Sequence, residues 1–310
     1  MKLYRFLLFT LLVVVSISCR EDDGPSIAPP RDFQVQYNTD IELIEDYLDE
    51  HYMTVDAENN VTFVKIPEGG TQESIREQQQ FPLQFRMLKS DRRNSNLVTG
   101  LVNDAVDYKM YYMIINEGGG NRPGVVDSVF VSYKGWKMDN VVFDQNNAPI
   151  WFENNNWVPG FRQILTQLKT AESFSDNPDG TINFNNFGNA VVFIPSGLAY
   201  FNTSPANIGA YQNLVFQIKL NGLYYRDQDR DGIKSNDERY GANFDIWKQD
   251  SDDDNIPDFL DIDDDGDAIL TKIEIKDTDG NYFDFESIPD CNGDTTTPTR
   301  IKKHIDPSCQ

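Results

Sequence analysis

Aspartate at every second position, closed by Gly or Asn and often by Ile, recurs between Asp227 and Gly280. The runs are Asp227-x-Asp229-x-Asp231-Gly232-Ile233, Asp250-x-Asp252-x-Asp254-Asn255-Ile256 and Asp261-x-Asp263-x-Asp265-Gly266-Asp267. Alternate carboxylates on a tight turn face a common centre, where they repel unless a cation sits between them. Calcium takes roughly six to eight oxygen ligands, and Gly or Asn supplies the sharp turn. Residues 226–290 hold 22 of the 50 acidic residues and 7 of the 27 basic ones, so about two thirds of the net charge of −23 is concentrated there. No basic stripe is present to bind phosphates, which argues against nucleic acid as a partner.

The opposite end reads as an export signal. Lys2 and Arg5 precede an apolar run from Phe6 to Val15, too short to span a membrane. Ser16-Ile17-Ser18-Cys19 resembles a bacterial lipobox, with Ser16 where Leu is usual. That resemblance implies a lipid on Cys19 and membrane attachment through it. The other reading is an ordinary cleaved signal with an incidental cysteine. Arg20-Glu21-Asp22-Asp23 resembles the acidic tag of some Gram-negative surface lipoproteins. The expected location is therefore the outer membrane, facing the periplasm or the cell surface. Cys291 and Cys309 remain; in an oxidising compartment they pair, and otherwise they are two free thiols.

Five segments follow from the pattern. Residues 1–19 are the signal and 20–35, with Pro25, Pro29 and Pro30, a tether. Residues 36–106 are an extension with a helix and a strand. Thr39 and Glu42 have capping-box spacing, Ile41, Ile44 and Leu48 share a face, and Val61–Ile66 reads as the strand. Residues 71–100 give no clear pattern. Residues 107–225 are rich in strands, at Tyr108–Ile115, Val126–Trp136, Val141–Phe143, Ile150–Phe152, Asn189–Ile194 and Leu214–Leu220. Phe161, Ile164, Leu165 and Leu168 have helical spacing. The polar stretch 173–188 reads as an excursion. The fold class is α+β: an antiparallel sheet curled over one short helix, followed by an irregular calcium-loop module at 226–310.

Taken in order, six pieces resemble the FKBP-type peptidyl-prolyl cis/trans isomerases. They are Val129-x-Val131-x-Tyr133-x-Gly135, Phe143-Asp144, Pro149-Ile150-x-Phe152, Trp157-Val158-Pro159-Gly160-Phe161, Ile194-Pro195-Ser196-x-Leu198-Ala199-Tyr200 and Leu214-Val215-Phe216-Gln217-Ile218-x-Leu220. The resemblance implies a half-barrel sheet wrapped on the helix, with an apolar pocket between them that takes proline-containing segments of exported proteins. It places Tyr133, Phe143, Phe152, Trp157, Val158, Phe161, Tyr200, Ile208 and Phe216 around that pocket. By the same resemblance, Val158 N–H and the Tyr200 hydroxyl hold substrate carbonyls, and Asp144 is a partly buried carboxylate bonded to Tyr133. The chain departs from the family at Phe161, where Trp is usual, at Ile150, where an aromatic is usual, and at Phe201, which replaces the Gly of a common Tyr-Gly pair. The other readings are a pocket that holds peptides without turnover, and adhesion carried by the tail with the FKBP-like domain as a spacer.

The tail has three candidate sites for structural calcium. Glu238 is twelfth from Asp227, as in an EF-hand loop, although a strand precedes it. Asp258 is ninth and Asp261 twelfth from Asp250. Counted from Asp261, the third run with Asp263 and Asp265 places Lys272 twelfth, so Glu274 or Asp267 has to substitute. Overlapping loops of this kind resemble thrombospondin type-3-like calcium repeats. The alternative is a disordered acidic tail. Ile233, Phe244, Ile246, Trp247, Ile256, Phe259, Ile262, Ile269 and Ile273 recur at repeated places and argue for order.

Overall fold

Val129, Val131 and Tyr133 lie on one side of a strand, and that alternation decides which face of the central sheet receives the short helix. The computed structural model describes residues 29–239 and 245–309, and the chain from Asp32 onward is a single unit. Cys19 and Phe244 lie outside the described residues.

Helix α1 (Phe33–Glu50) leads into a hairpin of β1 (His51–Val55) and β2 (Val61–Lys65). The strands β3 (Gln84–Lys89), β4 (Asp107–Asn116), β5 (Ser128–Lys137) and β6 (Val142–Glu153) follow. Helix α2 (Pro159–Leu165), a small hairpin of β7 (Ser173–Asp176) and β8 (Ile182–Asn185), β9 (Gly188–Ile194) and β10 (Leu214–Tyr224) complete the domain. Six strands form one antiparallel sheet in the order β3-β4-β9-β10-β5-β6.

Both faces of this sheet are covered. On one, α2 packs Phe161, Ile164 and Leu165 against Val129, Val131, Val192, Ile194, Phe216 and Ile218. On the other, α1 and β2 bring Ile44, Leu48, Val61 and Phe63 onto Met113, Trp136, Phe193 and Val215. Two covered faces explain why β9 is buried at every residue and reads as a continuous apolar run.

Several expectations are corrected. The N-cap of α1 is Asp32, whose carboxylate accepts from Val35 N–H at 3.0 Å, so the helix starts before Thr39 and inside the expected tether. Thr39 is mid-helix. The patternless 71–100 stretch contributes β3, an edge strand of the main sheet, so the extension and the domain share one sheet. The segments expected at Val141–Phe143 and Ile150–Phe152 belong to one strand, β6, which starts at Val142 and whose register on β5 shifts twice. The 173–188 excursion is the β7–β8 hairpin.

One shift lies between Gly135 and Trp136, and the glycine there has a steric cause. A Cβ at Gly135 would stand 2.6 Å from Phe143 Cζ and 2.7 Å from Phe216 Cε1. Gly135 therefore lets two rings meet across the strand. Gly135→Ala is expected to cost about 1–3 kcal/mol by overpacking. Urea denaturation would measure the loss, and an unchanged midpoint would contradict this role.

Candidate functional site

The sheet and α2 enclose a nest of aromatic rings. Trp157 stacks on Phe161 at 4.4 Å between centroids and lies 4.6 Å from Phe152 and 5.3 Å from Tyr133. Phe161 meets Phe216 edge-on at 5.1 Å, and Phe216 meets Phe143 at 5.4 Å. Ile208 and Tyr200 pack on the same cluster. All the apolar residues placed here by resemblance converge. Phe161 and Phe216 are buried, whereas Phe143, Phe152, Trp157, Val158 and Tyr200 are only partly covered and form the accessible rim.

Two polar features edge the nest. The Tyr133 hydroxyl donates to Asp144 Oδ2 at 2.8 Å. Asp144 itself is exposed, which corrects the partly buried carboxylate expected: β6 is an edge strand, and the carboxylate reaches inward only through Tyr133. Burial, aided by the charge of Asp144, pushes the Tyr200 and Tyr133 hydroxyls above the usual tyrosine value, so both stay protonated donors at neutral pH. Val158 is the N-cap of α2, followed by Pro159 at the first helical position, and its N–H has no acceptor among the described residues.

Neighbouring elements set this geometry. Asp40 of α1 is buried and accepts from Ser196 N–H at 2.9 Å and Ser196 Oγ at 2.6 Å, fixing the turn that leads to Tyr200. Phe201 takes φ of +50°, a conformation that favours glycine, and its ring stacks on Phe33 at 4.4 Å. The Phe33 contact thus supports Phe201 in a backbone conformation that a side chain rarely adopts. Arg162, with only 6% of its surface exposed, pairs with Asp91 at 2.6 Å and donates to Trp157 O at 2.8 Å and Asn155 O at 3.0 Å. Sequence reasoning missed Arg162, because its partners lie on backbone carbonyls and a distant loop.

Among the described residues, the tail contains three twelve-residue loops, Asp227–Glu238, Asp250–Asp261 and Asp263–Glu274, built to one plan. In each, the sixth N–H donates to the first carboxylate: Gly232 to Asp227 at 3.2 Å, Asn255 to Asp250 at 3.0 Å, Ala268 to Asp263 at 3.1 Å. The seventh N–H donates to the fifth carboxylate, at 2.7 Å in all three. The second N–H donates to the ninth side chain, namely Ser235, Asp258 and Thr271. Positive φ recurs at the fourth and sixth places.

The third loop therefore begins at Asp263, two residues later than expected from the Asp-x-Asp pattern. Glu274 is its twelfth residue and Lys272 its tenth. Helix α3 (Thr271–Glu274) carries that glutamate inward. Asp258 uses its carboxylate on Ser251 N–H and Oγ, at 2.8 and 2.7 Å, and belongs to none of the carboxylate clusters. Asp261 ends the second loop and accepts from Asp263 N–H.

Within the loops, Asp227, Asp229 and Asp231 cluster, as do Asp250, Asp252 and Asp254, and Asp263, Asp265 and Asp267. Buried oxygens of Asp229, Asp231, Glu238, Asp250, Asp263, Asp265, Asp267 and Glu274 find no hydrogen-bond donor. Desolvation pushes the carboxyls of Asp229, Asp231 and Glu238 well above the usual range and Glu274 up to about 8. Buried, unpaired carboxylates in tight rings are costly on their own and fit a hard cation. Ile233, Ile246, Trp247 and Phe259 are buried in two small cores, while Ile262 and Ile273 are exposed. A disulfide joins Cys291 to Cys309.

Two family models match separate stretches of the chain. Residues 119–221 match the family model described as FKBP-type peptidyl-prolyl cis-trans isomerase, and residues 228–298 match one described as BamM C-terminal. A probable FKBP-type peptidyl-prolyl cis-trans isomerase FkpA of Neisseria meningitidis is 31% identical over 115 residues, which is 36% of this chain and 36% of that protein. An outer membrane protein MIP of Legionella longbeachae is 30% identical over 115 residues, 36% of this chain and 42% of its own length. The chain thus spans well under half the length of these relatives. The crystal structure of FkpA from Escherichia coli is 26% identical and covers 37% of this chain and 47% of that one, at a TM-score of 0.31, too low to add to the case. The matched segment, residues 119–221, is a domain of the FKBP type.

Proposed function

We propose that this protein catalyses cis/trans exchange of prolyl bonds in exported proteins, and that calcium stiffens its tail. The observation that carries the first part is the convergence of Tyr133, Phe143, Phe152, Trp157, Phe161 and Phe216 in one aromatic cluster, partly open at Phe143, Phe152 and Trp157, within the FKBP-type segment. Rotation about a prolyl bond faces a barrier of roughly 18–20 kcal/mol, because twisting destroys amide resonance. It needs no nucleophile and no proton transfer. The twisted amide is less polar than the planar one, so an apolar, water-poor hollow favours it. Val158 N–H and the Tyr200 hydroxyl have no acceptor among the described residues and suit substrate carbonyls. Asp144, held by the Tyr133 hydroxyl at the edge of the cluster, would face the twisting amide.

Tyr200→Phe and Asp144→Ala test the catalytic reading against peptide holding without turnover. Each is expected to lower the exchange rate of a proline peptide about tenfold, equal to roughly 1.4 kcal/mol, with a smaller change in peptide affinity. Loss of affinity at an unchanged rate per bound peptide would favour the holding role.

The ligand set of the tail suits calcium: Asp227, Asp229, Asp231 and Glu238; Asp250, Asp252, Asp254 and Asp261; Asp263, Asp265, Asp267 and Glu274. All donors are oxygens, as calcium requires. The ion would neutralise the loops and has no part in the isomerisation. Attachment to the outer membrane through a lipid on Cys19 completes the reading. It is supported by the signal-like start of the chain and by the outer-membrane name of one relative. Labelling with a radioactive fatty acid, lost in Cys19→Ser, would establish it; undiminished labelling in that variant would refute it.

A further inference from the structure

Asp264 is a buried carboxylate that the ligand sets of the three loops leave out. Asp264 is the second residue of the third loop, where its neighbours Asp263 and Asp265 point into that loop's own ring. Its side chain turns the other way. It lies with Asp231 and Glu238 of the first loop in a single cluster, with one oxygen from each within 4.8 Å of the others. Two oxygens bound to one calcium at about 2.3–2.6 Å can be no more than roughly 5 Å apart, so this spacing suits a shared ion.

The three side chains are also sealed off. Asp231 is 1% exposed, Glu238 0% and Asp264 1%. Both oxygens of Glu238, both of Asp264 and Oδ2 of Asp231 lack any hydrogen-bond donor. No lysine or arginine forms an ion pair with any of them among the described residues. Three buried carboxylates with five unpartnered oxygens cannot remain ionised side by side without a cation.

We infer that Asp264 reaches across from the third loop to hold a divalent cation with Asp231 and Glu238, so that this ion joins the two ends of the repeat region. This rests on the calcium reading of the loops and extends it. The ion closes a ring from Glu238 to Asp264 that contains the whole second loop. It acts on the chain as a cross-link does, by restricting the open states available to the segment between. Loading of the first loop then requires the third loop to be folded, and the two sites bind cooperatively.

The test is equilibrium dialysis of calcium against the full chain, wild type and Asp264→Asn, with melting curves in calcium and in chelator. Asp279→Asn, on an exposed acidic turn outside the cluster, serves as the control. Asp264→Asn is expected to bind one ion fewer, or to bind one ion at least tenfold more weakly, and to lose cooperativity. In chelator it should melt no lower than wild type, because an amide replaces an unpaired buried charge. That rise or equality without calcium, paired with a smaller gain in calcium, separates a ligand from a merely structural residue. A wild type that binds calcium while Asp264→Asn binds the same number with the same affinities overturns the shared ion alone. A wild type that binds no calcium overturns both this inference and the calcium reading of the loops.

Discussion

Removing calcium from the full chain is expected to melt the region after Asp227 while the six-stranded domain stays folded. Extracellular sites of this type bind with dissociation constants on the order of 10⁻⁴–10⁻³ M. At about 10 mM calcium, each such site then contributes roughly 1.4–2.7 kcal/mol. Three such loops, once loaded, would together supply about 4–8 kcal/mol, comparable with the whole stability of a small domain. The apolar support of the tail is slight: Ile233, Ile275 and Ile288 form one small core, and Val126, Ile246, Trp247 and Phe259 another. Without a cation, those side chains would not hold the buried carboxylates together. Trp247 is nearly buried, packed on Phe259 at 4.8 Å and under the Arg93 guanidinium at 4.7 Å, so its fluorescence reports the change. Chelation should shift that emission to the red and expose the tail to protease. A spectrum and a cleavage pattern identical with and without chelator would contradict the account.

The effects on the domain should be limited but not zero. Val98 N–H donates to Asn255 O at 3.0 Å, and Thr99 N–H donates to Asn255 Oδ1 at 2.9 Å. The second loop thereby supports the segment that also carries Asp91, the partner of Arg162.

Trp157→Ala is expected to reduce the exchange rate about a hundredfold, equal to roughly 2.7 kcal/mol of differential stabilisation. Trp157 touches Phe161, Phe152 and Tyr133, and each such ring pair contributes about 0.5–1.5 kcal/mol beyond burial. Its removal opens the hollow to water from the side of α2, and the advantage of a dry environment for the twisted amide is lost. Because Trp157 is partly exposed, the fold should survive with a loss of about 1–3 kcal/mol. The rate with a proline peptide and the denaturation midpoint, measured on the same preparation, separate the two effects. A near-native rate in Trp157→Ala would mean that the ring is packing and nothing more.

The strands that alternate or run apolar were legible in the sequence, and so was α2, because burial imposes a period on them. Edge strand β3 was not: Gln84–Lys89 exposes Phe85 and Met87 and buries little, so no period marks it. The start of α1 was misjudged because Thr39 and Glu42 imitate a cap, while Asp32 makes the actual bond. The ring nest followed from motif order, since each piece keeps its place relative to the sheet. The support beneath it did not, because Asp40 to Ser196 and Arg162 to Asp91 are contacts over 156 and 71 residues with no local trace. In the tail, alternation from Asp261 to Asp267 fits two frames equally well. The twelfth-place carboxylate at Glu274 distinguishes them, and the hydrogen bond from Ala268 to Asp263 makes the choice visible. Asp264 had no sequence signal at all, being simply one more aspartate among several.

The most direct measurement is the cis/trans exchange of a proline peptide by the full chain in calcium, followed by two-dimensional exchange NMR. The account predicts exchange well above the uncatalysed rate, reduced about a hundredfold in Trp157→Ala and retained in Asp279→Asn. Exchange no faster than in buffer alone, from a chain whose domain is folded, would contradict it.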